Sequence, residues 1–182
     1  MPLLYPYLVS YYFSCLDDYE IHYQKFKSKH PNHPYNKPLE LILEGKERVI
    51  VGGKFIDFEL PDLTGQVQSL SSLIEGKIAL IDCWYTWCSP CVGKSKETIP
   101  IYNEFHAQGF TVIGIAANDT NIKEISERID KEQYPWINLV EFKRQNSIWD
   151  KYNISNLGGS RFLIDRDGKI LAINLKTEES YG

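Results

Sequence analysis

Ile78-Ala79-Leu80-Ile81-Asp82-Cys83-Trp84-Tyr85-Thr86-Trp87-Cys88-Ser89-Pro90-Cys91 is the stretch on which the reading of this chain turns. Ile78 to Trp84 is apolar except at Asp82, which predicts a central parallel strand covered on both faces. After Cys91 the pattern becomes helical. Val92, Ser95, Ile99, Tyr102 and His106 share one stripe, and Pro100 is expected to kink the helix. Cys88 and Cys91 thus fall at a strand-to-helix junction. Two thiols at this spacing can close a small disulfide and open it again. Cys88 is expected at the helix N-terminus, where unpaired N–H groups and the helix dipole favour a thiolate.

Cys88 therefore reads as the attacking thiol. Cys91, about one turn into the helix and expected nearer the core, reads as the resolving thiol. Pro90 suits an early helical position, because its missing N–H is not needed there. Trp87 offers a flat apolar contact beside the nucleophile. A metal site is the alternative, since two cysteines supply two of the four ligands zinc prefers, or a soft pair for Cu(I). The histidines are His22, His30, His33 and His106, and none pairs with a second cysteine at similar spacing. Inert thiols are the third reading.

Asp82 interrupts the apolar strand six residues before Cys88. A buried carboxylate is costly unless paired, and burial raises its pKa. It reads either as a proton acceptor and donor for Cys91, acting through water, or as a carboxylate bonded to nearby backbone or a lysine. Cys83, inside the strand, and Cys15, far upstream, read as packed free thiols.

The chain has 182 residues and a net charge of −4, with no basic cluster that would argue for nucleic acid. No apolar run approaches the roughly 20 residues that span a bilayer. Met1 to Cys15 lacks a basic residue ahead of its apolar stretch and carries Tyr5, Tyr7, Tyr11 and Tyr12, so no signal peptide is visible. Four cysteines are too few for a disulfide scaffold.

Residues 1–48 read as an N-terminal helical extension, and 49–182 as an α/β domain. Asp17 or Asp18 is expected to cap a helix with Tyr19, Tyr23 and Phe26 on one face, stopped by Pro31 and Pro34. Phe55 to Leu60 alternates like a strand, Thr64-Gly65 reads as a turn, and Val67 to Leu70 as a second strand. Ser71 or Ser72 is expected to open a helical turn. Phe110 to Ala116 is a second buried strand, and Ile122, Ile125 and Ile129 mark a helix face that Asn121 would cap. Ile137 to Val140 reads as a short strand, Asn146 to Tyr152 as a short helix. Phe162 to Ile164 and Lys169 to Leu175 read as a hairpin about Asp167-Gly168. The order β-β, β-α-β-α, β-β gives a mixed sheet flanked by helices.

Asp82 to Cys91 resembles the Asp-Phe-Trp-Ala-x-Trp-Cys-Gly-Pro-Cys pattern of the thioredoxin superfamily. Within it the chain is similar to the TlpA/ResA-like branch. The supporting residues are Phe58 with Leu60-Pro61-Asp62-Leu63 and Gly65, Gly76-Lys77, and Phe162-Leu163-Ile164-Asp165 with Asp167-Gly168-Lys169-Ile170. Tyr134-Pro135-Trp136 and the double glycine Gly158-Gly159 resemble AhpC/TSA-like proteins of Bacteroidetes. The resemblance covers about residues 50–176. It implies a thioredoxin-like fold with an N-terminal β-hairpin addition and a Cys88/Cys91 redox pair without cofactor. It also implies protein thiol or disulfide substrates, an upstream redox donor, and a periplasmic or cell-envelope location.

Three positions depart from the family pattern. The proline that faces the cysteines would fall at Gly159, preceded by Gly158. Glycine permits the same close backbone approach without enforcing a cis bond. Trp87, Pro90, Gly158 and Gly159 are accordingly the expected substrate contacts. Lys94 and Lys96 stand where an acidic residue and a proline are frequent, and would favour thiolates electrostatically. Thr177 to Gly182 is too short for the expected final helix, which is therefore short or absent. A peroxiredoxin-like peroxidase is a further alternative. It would want a proline and a Thr or Ser seven and three positions before the cysteine, where Ile81 and Tyr85 stand.

Overall fold

The computed structural model describes residues 19–118, 121–143, 145–154 and 158–175. The expectations for Cys15, for the Asp17 or Asp18 cap and for Thr177 to Gly182 lie outside the described residues. Among the described residues two helices come first, α1 (Tyr19–Lys29) and α2 (Asn36–Arg48). A hairpin of β1 (Glu59–Pro61) and β2 (Val67–Ser69) leads into α3 (Leu70–Ile74). Then come β3 (Ile78–Tyr85), α4 (Ser89–Phe105), β4 (Phe110–Asn118), α5 (Ile122–Glu132), β5 (Asn138–Phe142), α6 (Ile148–Lys151), β6 (Ser160–Ile164) and β7 (Ile170–Ile173). The main sheet has the order β5-β4-β3-β6-β7. β3, β4 and β5 run parallel, while β6 is antiparallel to both β3 and β7.

β3 is central because every residue from Ala79 to Tyr85 is buried. Its side chains alternate between two cores. Leu80 and Trp84 face α4 and α5, packing with Val92, Val112, Ile125 and Ile129. Ala79, Ile81 and Cys83 face the opposite layer of Leu60, Leu70, Ile148, Trp149 and Tyr152. Asp82 shares the first face, beneath α4. α4 runs through Pro100 without ending there.

Two local expectations need correction. The strand expected from Phe55 begins only at Glu59. Ahead of it the backbone bonds elsewhere: Phe55 N donates to the Gly168 carbonyl, and the Tyr152 hydroxyl bonds both N and O of Ile56. Ser69, not Ser71 or Ser72, caps α3, its hydroxyl accepting from Ser72 N at 3.3 Å. The helix α2 was not drawn from the sequence, although Leu39 and Ile42 give it a buried face.

That face meets Tyr19 and Tyr23 of α1 in a small core of its own. α2 also docks on α6. A Cβ at Gly45 would lie 2.6 Å from the Lys151 carbonyl oxygen, so only glycine allows this approach. No helix among the described residues is long and apolar enough to cross a membrane.

Candidate active site

Cys88 ends the turn that leaves β3 and caps α4, and Ser89 and Pro90 are the helix's first residues. Pro90 lacks an N–H where the helix needs none. Cys88 and Cys91 are joined in a disulfide. The Cys91 amide donates to Cys88 Sγ at 3.3 Å. That donor, with the helix dipole behind it, stabilises negative charge on Cys88 when the bond is open.

The burial order of the pair is the reverse of the sequence expectation. Cys88 is 7% exposed and belongs to the core that holds Cys83 and Tyr85, whereas Cys91 is only half-buried. An aromatic wall explains this. Tyr85 stacks on Trp87 at 4.8 Å and tilts onto Trp149 at 5.0 Å, covering the turn that carries Cys88. Trp87 itself is 60% exposed, an outward-facing aromatic surface next to the disulfide.

A cleft of about 220 Å³ opens beside the disulfide, with Pro90, Lys94, Gly158, Gly159 and Arg161 among its walls. Gly159 lies against β3. A Cβ there would overlap the Cys83 carbonyl oxygen and come within 3.1 Å of Trp84 Cα. The backbone approach expected at this position is therefore present, and its peptide bond is trans. The Gly158 carbonyl accepts from Trp149 Nε1 at 3.3 Å, which ties the loop to the aromatic wall.

Asp82 is 2% exposed, and among the described residues its hydrogen-bond and ion-pair partners are a serine and an arginine rather than backbone or lysine. Ser95 Oγ donates to Oδ2 at 2.6 Å, and the same hydroxyl lies 3.0 Å from the Cys91 carbonyl oxygen. Arg161 Nε lies 3.5 Å from Oδ1. Burial pushes the Asp82 carboxyl above the ordinary carboxylate value, against the opposing pull of Arg161, Ser95 and Lys94. The two lysines of the departure from pattern separate here. Lys94 lines the cleft, whereas Lys96 reaches away to Glu132 at 3.0 Å.

Sequence reasoning missed Arg161 and Ser95 as members of this cluster. Ser95 had one signal, a small polar residue on the buried stripe four residues after Cys91. Among the described residues no group of three or more His, Cys, Asp or Glu is arranged to hold a metal ion. The buried Cys83 thiol is pushed well above the ordinary thiol range by burial, with Asp82 and Glu141 adding to it.

The AhpC/TSA family profile matches residues 51–173. The chain belongs to the AhpC/TSA family. Thiol-disulfide oxidoreductase ResA of Bacillus cereus is 30% identical over 126 residues, covering 69% of this chain and 70% of the relative. ResA of Bacillus subtilis is 26% identical over 132 residues, covering 72% and 71% respectively. The thioredoxin domain of a Bacteroides vulgatus thiol-disulfide oxidoreductase superposes with a TM-score of 0.65 at 26% identity, covering 72% of this chain and 93% of that one. A thiol:disulfide interchange protein from Bacteroides gives 0.64 at 26% identity, with 73% and 86% covered. The fold is thioredoxin-like, as the resemblance implied, and the enzyme class of this AhpC/TSA member is that of the thiol–disulfide oxidoreductases.

Proposed function

We propose that this protein exchanges disulfides with protein substrates through Cys88 and Cys91. The observation that carries the reading is the closed Cys88–Cys91 disulfide at the N-terminus of α4, with Asp82 buried beneath the same helix. In the reduced protein, the Cys88 thiolate attacks one sulfur of a substrate disulfide. A mixed disulfide forms and the other substrate sulfur leaves as a thiolate, which takes a proton from solvent. Cys91 then gives its proton, through water, to the Asp82 carboxylate. The Cys91 thiolate attacks Cys88 Sγ, the mixed bond breaks, and the second substrate sulfur leaves. Two electrons have passed from the dithiol to the substrate, and an upstream donor must return them. The same steps run backwards when the substrate is the dithiol, and the relative potentials set the direction.

Trp87, Pro90, Gly158 and Gly159 border the disulfide, and we assign them to substrate contact. An extended substrate segment would lie along the Gly158-Gly159 backbone, with apolar side chains on Trp87. The similarity to ResA and to a thiol:disulfide interchange protein supports a location in the cell envelope.

Trapping tests the reaction. In Cys91→Ser, a peptide disulfide should accumulate as a stable adduct on Cys88, located by peptide mass. Adduct on Cys91 in the reciprocal Cys88→Ser variant, with none in Cys91→Ser, would reverse the roles of the two thiols.

A further inference from the structure

Asp82 and Arg161 face each other across the antiparallel β3–β6 pair. They share the face of the sheet that α4 covers, as do their neighbours Leu80 and Leu163. Arg161 is 8% exposed, so both charges are withdrawn from water. The guanidinium is anchored by Nη2, which donates to Thr98 Oγ1 of α4, and it faces Asp82 as an ion pair, with Nε 3.5 Å from Oδ1 and not hydrogen-bonded to it. Its backbone is fixed as well. Arg161 N donates to Asn174 Oδ1 at 3.0 Å, and Asn174 N donates to the Arg161 carbonyl at 2.8 Å. The residue also lines the cleft beside Cys88 and Cys91.

A buried ion pair is a poor source of stability, because desolvating two charges offsets their attraction. An apolar residue would suit a central strand better. An arginine here keeps a permanent positive charge beside the only carboxylate that lines the cleft among the described residues. We propose that Arg161 is a positioning residue for the exchange reaction: its guanidinium favours the carboxylate form of Asp82 and fixes that group beneath α4 on the wall of the cleft it shares with Cys91, so that the resolving step proceeds at lower pH than it would without the charge. This inference rests on the exchange reading given above.

The other groups that face Asp82 do not replace this charge. From α4 come Ser95, which is neutral, Cys91 itself, and Lys94, an exposed cation that pulls on Asp82 in the same direction as Arg161 but less strongly. The neighbouring Cys83 thiol on β3 points to the opposite face of the sheet, and burial pushes it well above the ordinary thiol range. From the segment before β5 comes Tyr134, whose phenol is pushed up to about 12, mainly by burial, and stays neutral. The β4 partner of Asp82 is Gly114, which has no side chain. Among the described residues Arg161 is thus the sole cation in an ion pair with Asp82.

The test uses the reduced full chain and Ellman's reagent. Cys88 attack releases one thionitrobenzoate, and Cys91 attack on the resulting mixed disulfide releases the second. The rate of the second release is followed from pH 5 to 9. Arg161→Met should move its midpoint upward by about one pH unit or more. Arg161→Lys, which keeps the charge, should restore most of the wild-type midpoint. In an Asp82→Asn background, Arg161→Met should move nothing further. If Arg161→Met does not fold, Thr98→Val carries the test, with a smaller upward shift expected because the guanidinium is freed but not removed. Unchanged midpoints in the folded variants, or an equal shift in the Asp82→Asn background, overturn the role of Arg161. A wild-type chain that releases no second thionitrobenzoate overturns the exchange reading instead.

Discussion

Gly159 packs against the Cys83 carbonyl so closely that no Cβ fits between them. The contact joins the loop ahead of β6 to the strand that leads into the disulfide turn. Gly158, one residue earlier, has open space where its Cβ would be. The neighbouring glycines should therefore respond differently to the same substitution. Gly159→Ala is expected to cost about 1–3 kcal/mol through forced backbone movement, and to slow exchange by opening the cleft wall. Gly158→Ala should stay within about 1 kcal/mol of wild type. Urea unfolding of both variants measures the difference, and equal losses would contradict the contact.

Asp82 gives a pH-dependent prediction. Its carboxyl is raised in the folded protein, mainly by burial, so the folded state holds a proton at pH values where the unfolded chain has released it. The stability this represents is full below the ordinary value of 3.8 and is lost as pH rises through the folded value. Asp82→Asn lacks that loss. Its stability relative to wild type should therefore improve from pH 4 to pH 8, whatever its absolute value at either end. Its resolving step should be at least about 10-fold slower at pH 7. A stability difference that is flat with pH would mean that Asp82 is not raised.

Cys83 should be silent. Its thiol is buried, and burial pushes it well above the ordinary range. In the reduced native protein at pH 8, iodoacetamide should modify Cys88 first and leave Cys83 unlabelled until the protein unfolds. Peptide mapping separates the sites. Labelling of Cys83 at a rate comparable to Cys88 would show that the β3 thiol takes part in the chemistry.

The parts that sequence reveals here are those set by short-range pattern. The continuous apolar run placed β3 within a residue of its observed end, and the proline after Ser89 placed the cysteines at a helix start. Gly159 was reached through the family resemblance, as the position where the pattern's proline would stand. Long-range pairing was not visible. Arg161 meets Asp82 only because β6 returns antiparallel to β3 in one particular register. The alternation from Phe55 to Leu60 looked like a strand, but the Tyr152 hydroxyl, distant in sequence, takes the backbone groups a partner strand would have used. The burial of Cys88 likewise depends on Trp149, which reaches the site from α6.

The most direct measurement is a redox titration of the Cys88–Cys91 pair in glutathione and dithiothreitol buffers, read by tryptophan fluorescence and by thiol trapping with mass detection. Trp87 beside Cys88 should report the change. The expected result is a single reversible two-electron transition confined to these two cysteines, abolished in Cys88→Ser and in Cys91→Ser. A pair that neither opens nor closes across the accessible potentials, or that is blocked by one equivalent of Cu(I) or Zn²⁺ bound to it, would contradict disulfide exchange as the function of this site.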